Sequence, residues 1–191
     1  MNHQPEFIRG ARIWMRPLLE SDFNLKYFCW LNDPEVNRYS QRRPFPATWK
    51  SMTSYSQNLE NNPHQGFVLA ILADHEHIGN IALVNLQLVH RCAEIAILIG
   101  DKNYWNQGLA AEAIYLVSKH AFLEMNLHRV FAGTFNPAFM RCVEKLGWVR
   151  EGEFRERIWS GGRYHHQVWL GMLRSEFKIF PEYAAAEDKT A

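Results

Sequence analysis

The stretch from Cys92 to Ala121 constrains the fold more than any other, because it is typical of a buried strand, a short turn and a long helix. The strand, residues 92–99, is apolar except for Glu94. After Gly108, apolar residues recur at three- and four-residue spacing, as in a helix packed on one face. The first N–H groups of such a helix lack intrahelical partners, and with the helix dipole they favour a phosphate group. The stretch predicts either an ordinary strand-to-helix connection or an anion-binding turn.

Composition fits one folded domain with a real core, since 47% of the 191 residues are hydrophobic and 14% are aromatic. A formal net charge of +1 gives no basic surplus, so neither nucleic acid nor a membrane surface is an expected partner. No apolar run is long enough to cross a membrane, and residues 1–10 lack a signal-peptide core, so a cytoplasmic location is expected. Three separated cysteines without a Cys-x-x-Cys pair indicate reduced thiols, and no metal is expected.

Turn residues divide the rest of the chain into alternating elements. Arg12–Leu18 is predicted as a first strand, and Ser21 or Asp22 is predicted to cap a helix that ends at Leu31. The other helices are predicted at residues 34–39, 49–59, 109–121 and 136–146, and the later strands at residues 67–72, 77–86, 92–99, 129–134, 148–159 and 164–173. Such a pattern favours an α/β fold with a mixed sheet and helices on both faces. Residues 1–180 are expected to form one domain, and residues 181–191 a frayed tail.

Several motifs follow one another in a recognisable order between Arg12 and Phe177. They are Met15-Arg16-Pro17-Leu18, Trp30–Val36, Ile78–Ile81, Tyr104–Ala113, and Asn136 followed by Glu144–Trp148. In this order the chain resembles the GNAT superfamily of acetyl-CoA-dependent N-acetyltransferases, and more closely the RimJ/RimL-type branch. The resemblance implies a mixed, mostly antiparallel central sheet of about seven strands, and acetyl-CoA as the co-substrate.

The chain departs from the family pattern at three positions. Asn106 stands where the coenzyme turn usually has a second glycine, which narrows the freedom of the backbone there. Phe139 stands where a small residue is common, and Val143 where many members carry a tyrosine that protonates the leaving thiolate.

The resemblance implies a coenzyme site along the central strand, the turn, the long helix and the helix after Asn136. Its candidate residues are Ile97, Leu98, Ile99, Tyr104, Trp105, Asn106, Gln107, Gly108, Leu109, Ala110, Asn136, Cys142 and Lys145. Asn136 can equally be a helix-capping residue, Cys142 a buried packing thiol and Lys145 part of a solvated basic surface.

Glu94 is the candidate catalytic residue. By strand alternation it shares a face with Ala96 and Leu98, opposite to Ile95 and Ile97. The resemblance implies that a glutamate at this position removes the proton of the amine, often through water. A structural glutamate paired with an arginine is an equal alternative.

The acceptor wall implied by the resemblance contains Trp30, Asn32, Arg38, Tyr39 and Trp159. The lack of an acidic run disfavours a polyamine as the acceptor. An α-amino group has a pKa near ~8 against ~10.4 for lysine and needs less help from a base, so a protein N-terminus of the ribosomal type is the first expectation. Two alternatives stay open: an amino sugar or other small-molecule amine, and a non-catalytic module that binds acetyl-CoA. The chain is expected to act as a monomer or homodimer.

Overall fold

A computed structural model describes residues 5–185, which form a central sheet with helices on both sides. Its strands are β1 (Ile8–Arg9), β2 (Trp14–Pro17), β3 (Gly66–Ala73), β4 (Glu76–Gln87), β5 (Cys92–Ile99), β6 (Arg129–Thr134), β7 (Val149–Ser160) and β8 (Arg163–Leu173). Its helices are α1 (Leu25–Asn32), α2 (Trp49–Asn61), α3 (Leu109–Leu123) and α4 (Pro137–Lys145). None of the helices within this range is long and apolar enough to span a bilayer.

The sheet has eight strands in the order β1-β2-β3-β4-β5-β6-β8-β7. Every neighbouring pair is antiparallel except β5 and β6, which are parallel. The predicted mixed, mostly antiparallel sheet is therefore confirmed. The additional strand is β1, whose two residues are too few to show a periodic pattern.

The two faces of β5 are covered by different helices. Ile95 and Ile97 belong to the main core, which α3 and α4 complete. Ala82 of β4, on the opposite face, packs in a smaller cluster with Leu59 of α2. Glu94 and Leu98 alternate with Ile95 and Ile97, so they face the side of α1 and α2.

The parallel pair β5–β6 opens after a short contact. Pairing is limited to three residue pairs, of which Glu94↔Phe131 is the last. Beyond that pair β5 continues with β4 as far as Ile99, and β6 continues with β8 as far as Thr134. The two halves of the sheet therefore diverge, and this splay leaves one edge of β5 without a strand partner.

Two predictions about the N-terminal region were wrong. Helix α1 is capped by Asn24, whose side chain accepts from the backbone N–H of Tyr27, and not by Ser21 or Asp22. Asp22 instead accepts two hydrogen bonds from the buried Arg16 guanidinium, at 2.6 and 2.9 Å. Residues 34–39, predicted as a short helix, form successive turns.

The chain after Leu173 packs against α3 through aromatic rings. Phe177, Phe180 and Tyr183 surround Tyr115, whose hydroxyl accepts from the backbone N–H of Phe180 at 3.3 Å. Residues 181–185 are thus part of the packed structure, whereas the sequence predicted fraying from Pro181. Residues 186–191 of the predicted tail lie outside the described residues.

Candidate active site

The turn before α3 presents a row of backbone N–H groups without partners. Gly108 is the N-cap of α3 and has a φ of 79°. Since glycine has no side chain, no side-chain hydrogen bond caps this end of the helix. The first N–H to bond within the helix is that of Glu112, to the carbonyl of Gly108. Within residues 5–185, the N–H groups of residues 106–111 donate no hydrogen bond. With the helix dipole behind them, they suit a bound pyrophosphate.

Asn106 supplies the conformation that a second glycine would give. Its φ is 60°, in the left-handed region that asparagine tolerates better than most residues. Asn106 therefore adopts a backbone conformation that a glycine at this position could also adopt.

A buried carboxylate that sequence reasoning passed over holds the turn in place. Glu112 is fully buried in the first turn of α3 and accepts from the backbone N–H and the Nε of Arg12, at 2.7 and 3.0 Å. Arg12 in turn donates to the carbonyl of Gln107 at 2.7 Å. The signal was present in the sequence, since Glu112 is an acidic residue near the start of an otherwise apolar helix face.

Trp105 ties the other end of the turn to the splay. Its Nε1 donates to the carbonyl of Ile99 at 2.8 Å, at the end of β5. Lys102, just before it, contacts Asp33 at 2.9 Å and is thereby bound to the α1 side of the molecule. The first contact fixes the turn relative to the open edge of β5, and the second fixes it relative to the end of α1.

Asn136 has the first of the two roles that the sequence analysis left open, that of a helix cap. Its Oδ1 accepts from the backbone N–H of Ala138 at 2.9 Å, so it caps α4. It also lines the cavity at the splay, together with Phe139. Its contact with the coenzyme stays a prediction.

The remaining α4 candidates lie farther from the splay. Cys142 is half-buried against the main core, and burial raises the pKa of its thiol, which fits a packing cysteine. Lys145 is exposed at the end of the helix. Val143 is fully buried and carries no hydroxyl, so no tyrosine-type proton donor acts from this position.

A cavity of about 780 Å³ connects the splay with α1, α2 and the segment between them. Its floor is formed by β4 and by residues 94–98 of β5, and one end is formed by residues 132–134 of β6. Tyr39 closes this end, since it lines the cavity and its ring meets Phe135 edge to face at 5.3 Å. The volume lies within the range of small-molecule sites, about 300–1,000 Å³.

Glu94 lines this cavity at the apex of the splay. Its Oε2 accepts from Asn85 Nδ2 at 2.7 Å, and no ion pair to it occurs within residues 5–185. The sequence analysis left open that Glu94 is a structural residue paired with an arginine. In the described residues its side-chain partner is instead the amide of Asn85. An amide hydrogen bond orients the carboxylate and leaves its negative charge available to a cationic amine.

Two tyrosine hydroxyls and one guanidinium surround the cavity next to Glu94. Burial raises the pKa of Tyr55, the charge of Arg42 opposes the rise, and that of Glu94 adds to it. Burial likewise raises the pKa of Tyr27, against the effect of Arg42. Sequence reasoning missed Arg42 and Tyr55 as site residues, although the Arg42-Arg43 pair in a proline-containing loop was a visible signal.

Of the predicted acceptor wall, only Tyr39 lines the cavity. Trp30 is buried beneath Gly100, where any Cβ would come within 2.1 Å of its ring. Asn32 is bound to the backbone of Ala47, accepting from its N–H at 3.0 Å and donating to its carbonyl at 3.2 Å. Two further candidates are exposed outside the cavity: Arg38, stacked on Tyr39, and Trp159, packed on the hairpin residue Tyr164.

Comparison with known proteins identifies the architecture. Residues 12–149 match the family model described as the acetyltransferase (GNAT) domain. The spermidine N(1)-acetyltransferase of Escherichia coli (strain K12) is 28% identical over 166 residues, which cover 85% of this chain and 87% of that protein.

Solved structures share the same fold. The spermidine N-acetyltransferase of Vibrio cholerae, solved in complex with CoA and spermine, matches with a TM-score of 0.78 at 21% identity, over 86% of this chain and 97% of that one. Mycobacterium smegmatis RimJ, in complex with CoA-disulfide, matches with a TM-score of 0.75 at 16% identity, over 90% of this chain and 88% of that one. At these identities the likeness concerns the fold, and the RimJ/RimL-type branch stays a prediction.

Proposed function

The chain belongs to the GNAT family of acetyltransferases and is an acetyl-CoA-dependent N-acetyltransferase, and we propose that its acceptor is a small-molecule primary amine. The observation that carries the proposal is the cavity of about 780 Å³ that connects Glu94 and the splay with α1 and α2. Its size suits a small ligand held on several sides. The curated relatives named spermidine N(1)-acetyltransferases support this alternative over the protein N-terminus that the sequence favoured.

The coenzyme would be held on the side of α3 and α4. The N–H groups of residues 106–111 would bind the pyrophosphate, and the open edge of β5 at Ile97–Ile99 would hold the pantetheine arm, with Asn136 beside it. Bound acetyl-CoA supplies the activated acetyl group. Rigid placement of this group beside the acceptor removes much of the entropy cost of bringing two molecules together.

Glu94 would act on the acceptor from the other side of the sheet. The carboxylate attracts the ammonium group and takes its proton, directly or through one water, so that the neutral nitrogen can form the amide bond as the thiolate leaves. General-base help of this kind is typically worth about 10²–10⁴-fold in rate.

A panel of acceptors tests the proposal. Thiol release from acetyl-CoA is measured with spermidine, glucosamine, an aminoglycoside and a peptide that carries a ribosomal-protein N-terminus. At least one small amine is expected to exceed the peptide in kcat/KM by about tenfold or more. Preference for the peptide would overturn the proposal, and tight coenzyme binding without turnover of any acceptor would indicate a non-catalytic module.

A further inference from the structure

Two charged residues of opposite sign line the acceptor cavity. In the part of the chain that the structure describes, Glu94 is the only carboxylate among the lining residues and Arg42 the only cation. A cavity built for a polycation needs several carboxylates and no competing guanidinium, because like charges repel at short range. The pair Glu94 and Arg42 instead matches a ligand with one positive and one negative group.

Arg42 is available to such a ligand. Its guanidinium carbon lies 4.8 Å from the ring centroid of Tyr55. Within residues 5–185 the guanidinium donates no hydrogen bond and pairs with no carboxylate. The contact with Tyr55 positions the exposed guanidinium at the cavity, where its N–H donors can bind a carboxylate in a bidentate manner.

Asn80 adds a second unused donor in the cavity wall. The residue is 7% exposed and lines the cavity. Its Oδ1 lies 2.8 Å from His77 Nε2, which also faces the carbonyl of Gly79 at 3.0 Å. A carbonyl only accepts, so Nε2 carries the proton and Asn80 Oδ1 is the acceptor.

The amide nitrogen of Asn80 takes no part in this contact with His77. In the described residues Asn80 Nδ2 is buried and forms no hydrogen bond of ordinary geometry, and its weaker interaction with the Tyr27 hydroxyl acts to lower the pKa of that tyrosine. A buried donor without an acceptor costs about 1–3 kcal/mol, which an acceptor group on a ligand would recover.

The hydroxyls of Tyr27 and Tyr55 join these two donors into one cluster. All four residues line the same cavity, and the guanidinium carbon of Arg42 lies 4.8 Å from the ring centroid of Tyr55. Arg42 and Asn80 both oppose the rise of the pKa of Tyr27. Glu94 lines the same cavity, and its charge acts on Tyr55.

We propose that Arg42, Asn80, Tyr27 and Tyr55 form an anion subsite, and that the acceptor is a primary amine that carries a carboxylate a few bonds from its nitrogen. This inference rests on the proposed function and names its substrate class. Glu94 receives the ammonium group, while the guanidinium, the free amide N–H and the phenol hydroxyls receive the carboxylate. The subsite distinguishes this cavity from one for spermidine, which has no anionic group.

Matched pairs of acceptors test the subsite. Thiol release is measured with 4-aminobutyrate against 4-aminobutan-1-ol, and with β-alanine against 3-aminopropan-1-ol, with spermidine and the ribosomal-type peptide alongside. The wild-type protein is expected to favour the better amino carboxylate over its alcohol by roughly 10- to 100-fold in kcat/KM, as expected for hydrogen bonds to a charged group.

The variant Arg42→Gln keeps a polar side chain and removes the charge. It is expected to reduce the preference for the carboxylate to about threefold or less, and to raise turnover of spermidine, because the repulsion of a cationic acceptor is removed. The matched control is Arg43→Gln, since Arg43 is the next residue and does not line the cavity. This control is expected to keep the wild-type preference, and a melting temperature equal to that of the wild type checks that each variant folds.

The outcomes separate the two proposals. Turnover of small amines without a carboxylate preference, or a preference that survives Arg42→Gln, would overturn the subsite and leave the proposed function intact. Turnover of the peptide alone would overturn both.

Discussion

Replacement of Gly108 by valine tests whether the coenzyme turn works through its backbone conformation. The φ of 79° at Gly108 lies in the left-handed region, which costs an L residue about 1–2 kcal/mol and a β-branched residue more. A Cβ at this position would lie 3.4 Å from Arg12 Nη2, an ordinary contact, so backbone strain and not a clash is the main cost. Domains are stable by about 5–15 kcal/mol, and the variant is therefore expected to fold.

Valine can relieve this strain only by moving φ to negative values, which turns the N–H groups around Gly108 away from the pyrophosphate. Hydrogen bonds to a charged group are worth about 1.5–3 kcal/mol each, so the loss of one corresponds to roughly 10- to 100-fold weaker binding of acetyl-CoA. Isothermal titration calorimetry measures the change. The control is Gly108→Asn, because Asn106 already adopts a φ of 60° in the same turn. A folded valine variant with wild-type affinity, or an asparagine variant as weak as the valine one, would refute the reasoning.

Three further predictions concern single carboxylates and one histidine. Glu94→Gln should lower kcat/KM at neutral pH by about 10²–10⁴-fold, with recovery as pH rises and the amine deprotonates by itself, and a pH–rate profile equal to wild type would assign Glu94 a structural role. Glu112→Ala leaves two backbone N–H groups without their acceptor and should lower the free energy of unfolding by about 3 kcal/mol, as measured by urea denaturation. Burial lowers the pKa of His77 despite the nearby Asp22, so its neutral form stabilises the fold above the unfolded pKa of about 6.5, and this stability is lost as pH falls below that value. His77→Gln should reduce this pH dependence of the melting temperature. Burial also lowers the pKa of His120, so the melting temperature of His120→Gln is measured over the same pH range to separate the contributions of the two histidines.

The strands of the central sheet were predictable because their pattern is local. Predicted and observed bounds agree fully for β5 and β6, and no bound of β3, β4, β7 or β8 differs by more than one residue. Alternation of polar and apolar residues and the turn residues between strands are enough for this. The capping of α1 was predicted wrongly, because Asp22 is a good cap by type but its carboxylate is bound by Arg16, six residues earlier in β2.

The site divides in the same way. The strand, the turn and the start of α3 could be predicted as structural elements, since a strand, a glycine and a helix start follow one another directly in the sequence, and the binding of a coenzyme there stays a prediction. The acceptor wall could not, because it depends on which side chains meet across the molecule. Trp30 looks like a binding residue in the sequence, yet its ring fills the space left by Gly100. Arg42 looks like part of a solvated loop, yet it stacks on Tyr55 in the cavity wall.

The position of Glu94 in β5 links the two halves of the site. Because side chains alternate along a strand, the register that buries Ile95 with α3 also turns Glu94 toward α2 and the cavity. The same residue is the last to pair with β6, so the carboxylate stands where the sheet opens. A slip of one residue in β5 would turn the carboxylate toward the face of the main core. The apolar packing of α3 therefore determines the orientation of the proposed base, and core stability and catalytic geometry depend on one strand register.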